Sequence, residues 1–300
     1  MNYLDTARRA QVIRCLIEGS SVRATSRMTN VSIPTVLKLL VDAGTVCSEY
    51  QDGAVRNLTS KRIQVDEAWS YCFSKQKNTT EEKKAEGHGD VWTWIAIDAD
   101  SKLIATWMVG GRGGECAREF MCDLAGRLAN RVQLTSDGHA AYLEAVEAAF
   151  GCDVDYAMLI KHFEGEGGKS ADVRYSPAKV TSIEKRVITG QPDAKHISTS
   201  YVERQNLTMR MGMRRFTRLT NGFSKKAENH AHAVALHAMH YNFCRVHQTL
   251  KVTPAMQAGI ADHVWEIEEV IALLDAKEKA LEAEKGPRRT RGAKGTAVQT

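Results

Sequence analysis

Three carboxylates in this 300-residue sequence, Asp66, Asp137 and Glu203, sit far apart in the chain but at positions a folded sheet can bring together. Cleaving and rejoining a phosphodiester requires an activated oxygen nucleophile and a stabilised leaving oxygen. Two divalent ions about 4 Å apart supply both. Mg²⁺ (or Mn²⁺) prefers carboxylate oxygens, leaving room for water and a substrate phosphate. Asp66, Asp137 and Glu203 are therefore the candidate catalytic residues and the candidate ligands of two such ions. Other acids have simpler explanations. Asp98 and Asp100 belong to a tight turn. Glu67 points to the opposite strand face from Asp66, and Glu184 lies in an irregular stretch beside Lys185 and Arg186.

The elements that must hold the three acids can be read from periodicity. Ile63 to Trp69 alternates like a strand and carries Asp66. Asp90 to Asp98 and Lys102 to Val109 are β-rich runs joined by a turn. A helix with Phe120, Leu124 and Leu128 on one stripe follows, then a strand, Val132 to Ser136, ending at Asp137. Tyr142 to Phe150 reads as a helix and Tyr156 to Ile160 as a strand. Residues 162–197 are polar and irregular, with one short strand at Val180 to Val187. Helices are expected from Thr199 to Arg218, with Glu203 in the first turns, and from Lys225 to Val246. The order β-β-β-α-β-α-β-α predicts an α/β protein: a mixed sheet with helices on both faces. It is the element order of the ribonuclease H-like fold, in which the first and fourth strands are neighbours, so that all three acids can converge.

The residues around the acids extend the likeness. Val65-Asp66-Glu67-Ala68-Trp69-Ser70, Thr135-Ser136-Asp137-Gly138-His139 and Ser200-Tyr201-Val202-Glu203-Arg204-Gln205-Asn206 resemble the three catalytic blocks of bacterial insertion-sequence transposases of the DDE class. Tyr241 to Leu250, followed by Thr253-Pro254, resembles the segment that closes the catalytic domain in such enzymes. The resemblance covers about residues 60–260, plus the N-terminal helix-turn-helix. It implies Mg²⁺-dependent cleavage at element ends and joining to target DNA, a homo-oligomer on double-stranded DNA, and a cytoplasmic, nucleoid-associated location. The 66 residues from Asp137 to Glu203 are a wider spacing than is common in related integrases, which an insertion at 162–197 accounts for.

Charge points the same way. The net charge is only +5, but residues 200–226 hold seven Arg or Lys against one acid, Glu203, and residues 285–300 hold five basic residues and no acid. Uneven positive charge suits a polyanion partner. Asn206 and Arg210 lie three and seven residues beyond Glu203, on the same helical face, and Arg214 extends that line. Arg204, Arg210, Arg214 and Arg215 are candidates to hold DNA phosphates; the alternative is a solvated basic face. His139 is either a residue that contacts substrate or orients a metal ligand, or a helix-capping or packing histidine.

The first residues read as three short helices, the third capped by Ser32 with Pro34 in its first turn and a stripe of Val36, Leu37 and Leu40. Two helices joined by a short turn suggest a helix-turn-helix, with Thr35 and Lys38 turned toward DNA. The expected organisation is a helix-turn-helix domain over 1–48, a catalytic domain over 60–260, and a C-terminal helix with a basic disordered tail over 261–300.

Seven cysteines without a C-x-x-C pair argue against a disulfide framework or a cysteine zinc site and fit a reducing compartment. No apolar run approaches the roughly 20 residues needed to cross a bilayer, and Met1 to Arg14 lacks the apolar core of a signal peptide. Gly165 to Ser170 lacks phosphate-loop spacing, and His230, His232, His237 and His240 do not share one helical face. Rival functions are a nuclease of the same fold that cuts without joining and a catalytically silent DNA-binding regulator. The helix-turn-helix weighs against the first, the intact acid triad against the second.

Overall fold

The computed structural model describes residues 4–163, 179–217 and 221–284. Three capped helices come first: α1 (Thr6–Ile17), α2 (Val22–Thr29) and α3 (Ile33–Ala54). Asp5, Ser21 and Ser32 each accept a bond from the backbone N–H three residues on, which satisfies a donor the helix itself leaves free. α2 stops at Asn30, whose positive φ of 54° is a conformation that Asn tolerates. α3 then departs at 111° to α2. Its buried stripe is Val36, Leu39, Leu40, Ala43 and Cys47, whereas Leu37 is half-exposed.

The sheet is built from β1 (Arg62–Cys72), β2 (Gly89–Asp98), β3 (Ile104–Gly110), β4 (Gln133–Ser136), β5 (Asp155–Phe163) and β6 (Val180–Thr189). A short helix, α4 (Glu81–Ala85), separates β1 from β2. α5 (Gly114–Ala125) and α6 (Ala141–Phe150) flank β4 in the chain. After β6 come α7 (Ser200–Gly212), α8 (Ala227–Met239), α9 (Pro254–Gln257) and α10 (Ile267–Glu284). The strand order is β3-β2-β1-β4-β5-β6. β1, β4 and β5 run parallel, while β2, β3 and β6 pair antiparallel with their neighbours. The protein is thus α/β, with a six-stranded mixed sheet among the described residues, and β1 and β4 are neighbours as expected.

β6 is longer than the short strand expected at 180–187. It is an edge strand exposed along nearly its whole length, so it carries no apolar alternation to reveal it. Two helices also end early. α7 gives way at Gly212 to extended Met213 and a single 3₁₀ turn, Arg214–Phe216. α8 passes into one π turn, His240–Cys244, and ends there.

The two sheet faces bury different sets. Ile63, Val65 and Trp94 pack under Phe120, Leu124, Tyr142 and Val146 of α5 and α6. Ala68, Ile95 and Ile97 pack under Val202 and Met209 of α7 and Val234 and Ala238 of α8. The first cluster also takes in Ala10, Ile13, Val36, Leu40 and Cys47, so the N-terminal helices share the core of the sheet. α3 lies so close to α8 that a Cβ on Gly44 would sit 2.5 Å from that of His232. Arg9, 6% exposed, joins α1 to α10 through Asp275 (2.7 Å) and Glu278 (3.0 Å). The expected boundary at residue 48 therefore falls inside a continuous helix. The apolar stripe that anchors α3 runs through that point, so nothing there releases the chain. No described helix is by itself long and apolar enough to cross a membrane. Residues 165–170 and the basic stretch 285–300 lie outside the described residues.

Candidate metal centre at the open end of β1

β4 is short, and the site exists because of that. Its parallel pairing runs Arg62–Gln133, Ile63–Leu134, Gln64–Thr135; the same offset carried on puts Asp66 level with Asp137. Since β4 ends at Ser136, β1 has no strand beside it on that side from there on, and side chains of both faces can bend into the gap. Asp66, Glu67 and Asp137 bring carboxylate oxygens within 4.8 Å of one another.

Glu67 is the residue the sequence reading set aside. It does point to the face opposite Asp66, toward α6, but its longer side chain reaches round the end of β4. It is buried, with Arg112 Nη2 3.4 Å from Oε2. Its Oε1 is buried without a hydrogen-bond partner among the described residues, as is the Tyr142 hydroxyl that approaches it. The sequence held a signal: Ile63, Val65 and Glu67 share one buried face, and an acid there has no basic residue opposite it in register, only Trp94. Burial, then the neighbouring Asp137, pushes Glu67 up to about 7. The same two causes push Asp66 up to about 7, and Glu203 adds to the effect.

The other ligands are held from several elements. Asp66 Oδ1 accepts from the Glu67 amide (2.8 Å) and Oδ2 from Asn206 Nδ2 (2.8 Å). Asp137 Oδ1 accepts from the His139 amide (2.9 Å), while the His139 ring lies 3.1 Å from Arg112 O and edge-on to Tyr142. His139 is thus a packing residue that also fixes Asp137. Gln64 Oε1 accepts from the amides of Tyr201 (2.8 Å) and Val202 (3.2 Å), pinning the N-terminus of α7 across β1. That puts Glu203 on the Asp66 side. Glu203 lies outside the 4.8 Å cluster, its Oε1 held by Lys161 and by Thr199.

These residues fit a hard divalent cation. Among the described residues Asn206 Oδ1 is a buried acceptor without a donor, and Glu67 Oε1 is met only by the Tyr142 hydroxyl at the edge of bonding distance; an unsatisfied buried acceptor costs about 1–3 kcal/mol. The three acids crowd together with the Arg112 guanidinium at the rim, 3.4 Å from Glu67. A divalent ion would satisfy the orphan oxygens and the charge at once.

The candidate DNA contacts fare unequally. Arg204 is exposed on α7, and Arg210 is half-buried in its last turn. Arg214 is exposed but off the helix, so it does not extend the line from Glu203. Arg215 is turned inward, donating to Ser224 Oγ (2.9 Å), and burial pulls it below the usual arginine range. It faces the interior rather than the solvent, because the helix that would have turned it outward stops at Gly212. Lys38 is exposed and paired with Asp42; the Thr35 hydroxyl is taken by Ser32 (2.8 Å). Asp98 serves its turn as expected, accepting from the amides of Asp100 (2.7 Å) and Ser101 (3.1 Å). The four histidines form no metal cluster among the described residues.

The chain matches no protein-family model, and no curated protein matches it. The functional reading therefore rests on the site's own geometry.

Proposed function

We propose that this chain is a transposase with a ribonuclease H-like catalytic domain, cutting DNA strands and joining them to a target by metal-dependent phosphoryl transfer. The observation that carries the reading is the levelling of Asp66 with Asp137 at the end of β4, with the helix bearing Glu203 pinned over them by Gln64 and Asn206. Acids drawn from two neighbouring parallel strands and a crossing helix are what a two-ion phosphoryl-transfer site requires. Bound divalent ions would activate the attacking oxygen and neutralise the leaving one. Asp66, Asp137 and Glu203 would hold them, with Glu67 beside them. Asn206 orients Asp66, and the His139 amide orients Asp137. The α2–α3 pair, at 111° with a three-residue turn, supports a helix-turn-helix reading head. Arg204 and Arg210 lie on the helix that carries Glu203, where DNA phosphates would pass.

The test is strand cleavage and joining on labelled element ends with Mg²⁺ or Mn²⁺. Asp66→Asn, Asp137→Asn and Glu203→Gln should each lower both activities at least about a thousandfold, the order expected from losing several kcal/mol of charge stabilisation. DNA binding should persist. Full cleavage by any one variant removes that residue from the site. Cleavage without joined product, under all conditions, favours the nuclease.

A further inference from the structure

Beyond Glu67, this face of β1 loses its cover. Trp94, opposite Glu67 in register, is fully buried beneath Phe120 and Tyr142, its indole donating to Gly111 O (2.9 Å). One register step farther out, Trp69 and Trp92 stand opposite each other and are only half-buried. Tyr71 follows on the same face, its ring 5.7 Å from that of Trp69, and half-buried Phe223 stacks on Tyr71 at 5.1 Å and 28°. Fully burying a large side chain is worth about 1.5–3 kcal/mol, so four large rings in a row left partly wet are a stability gain forgone.

What surrounds the rings is cationic. The Arg112 guanidinium lies over Trp92 at 4.4 Å and the Lys75 ammonium over Trp69 at 5.7 Å. Lys225 and Lys226, both exposed, follow closely after Phe223. Asp90, opposite Tyr71, is occupied by the Gln76 amide (3.0 Å). Arg112 is also the partner of Glu67, so the strip begins at the acid cluster, about 7 Å from Glu67 to Trp69 along the strand. Partly exposed rings with a cation over one face match one class of ligand: a nucleic-acid strand whose bases stack on the rings while its phosphates meet the cations. Paired bases inside a duplex cannot reach such rings without leaving the stack.

We propose that Trp69, Trp92, Tyr71 and Phe223 form a stacking platform for unpaired bases of a DNA strand, adjoining the acid cluster of Asp66 and Asp137, where the proposed function places the reacting phosphate. The second half rests on the proposed function; the platform itself does not. The strand enters along β1 and β2 with its bases on the rings, so the site takes a frayed or opened end in preference to intact duplex.

The experiment is fluorescence anisotropy in EDTA, with no metal and no cleavage, using a single strand of about ten thymidines and a duplex of the same length. The Trp69→Ala/Trp92→Ala variant, with its fold checked by near-ultraviolet circular dichroism, should bind the single strand roughly five- to a hundredfold more weakly. Its duplex affinity should stay within about twofold of the wild type. In parallel, the thymidine strand should quench the tryptophan emission of the wild-type chain, a readout that needs no variant. Equal single-strand affinity in the double variant, or no quenching in the wild type, overturns the platform. If cleavage survives while either result fails, the platform alone is wrong. If the strand binds and quenches while no metal supports cleavage, the platform stands and the proposed function falls.

Discussion

β1 carries a buried polar cluster on each face, and the two are opposites. On one face Ser70, His230, Ser224 and Arg215 form a closed chain. Arg215 donates to Ser224 (2.9 Å), Ser224 to His230 Nδ1 (2.8 Å), His230 Nε2–H to Ser70 (3.3 Å), and Ser70 to Val91 O (3.0 Å). Both hydroxyls and the imidazole N–H have an acceptor, in a direction set by the two ends. On the other face the buried Glu67 carboxylate, met only loosely by Tyr142 and by Arg112, sits beside Asp66 and Asp137 with acceptors in excess of donors. A satisfied network fastens the fold; here it ties the Arg214–Phe216 turn and residue 224 to the sheet. An acceptor-rich, donor-poor cluster lowers stability until something positive arrives, which is how a binding site differs from a rivet.

The largest expected effect separates the two clusters by function. Glu67→Gln should lower Mn²⁺ affinity and lower cleavage roughly a hundredfold, consistent with losing a ligand or its close neighbour. His230→Ala should leave cleavage per folded molecule within a fewfold. Isothermal titration with Mn²⁺ and the strand-cleavage assay decide it; a fully active Glu67→Gln protein would reduce Glu67 to a buried bystander.

The next effect runs the other way, in stability. Ser224→Ala breaks the chain in the middle and strands His230 and Arg215, at a cost of about 1–3 kcal/mol in denaturant unfolding. Equal stability would mean that water replaces the hydroxyl and the network is not closed.

The smallest effect is a matter of sign. Burial and Arg215 lower His230 from its usual range to about 3. Between about 3 and 6.5 the unfolded chain binds the extra proton, so this face loses stability as pH falls. Burial and Asp137 raise Glu67 to about 7. Between about 4.5 and 7 the folded chain binds the extra proton, so that face loses stability as pH rises. In metal-free protein the two oppose each other and the profile is shallow. Asp66, raised to about 7 by the same causes, stays on the carboxylate side, so Glu67→Gln should tilt stability upward with pH relative to the wild type across this window and gain about 1–3 kcal/mol near pH 8. An unchanged profile would mean that Glu67 is already charged.

The difference between the two faces also explains what the sequence disclosed. Asp66 and Asp137 were legible because a strand alternation and a strand end each mark a position. Glu67 was passed over because parity was read as separation, which holds only while a neighbouring strand fills the gap; four-residue β4 does not. Arg214 and Arg215 fall off the helical line from Glu203 because the basic run continues past the point where Gly212 and Met213 let the helix go. β6 was under-read because an edge strand wet on both faces has no apolar rhythm. The stacking rings were visible as aromatic residues, but their half-exposure depends on where α5 begins, which is a three-dimensional fact.

One further consequence belongs to α3. Its 22 residues make a rod of about 33 Å, seated at Gly44 against α8 and rooted in the sheet's core. One full turn of duplex DNA is about 34–36 Å. Under the proposed function, the rod is a ruler. Bases read at its outer end would be held a set distance from the sheet in which it is rooted, so a strand cut at the sheet's acids would be cut at a constant offset from the recognised sequence whatever bases lie between.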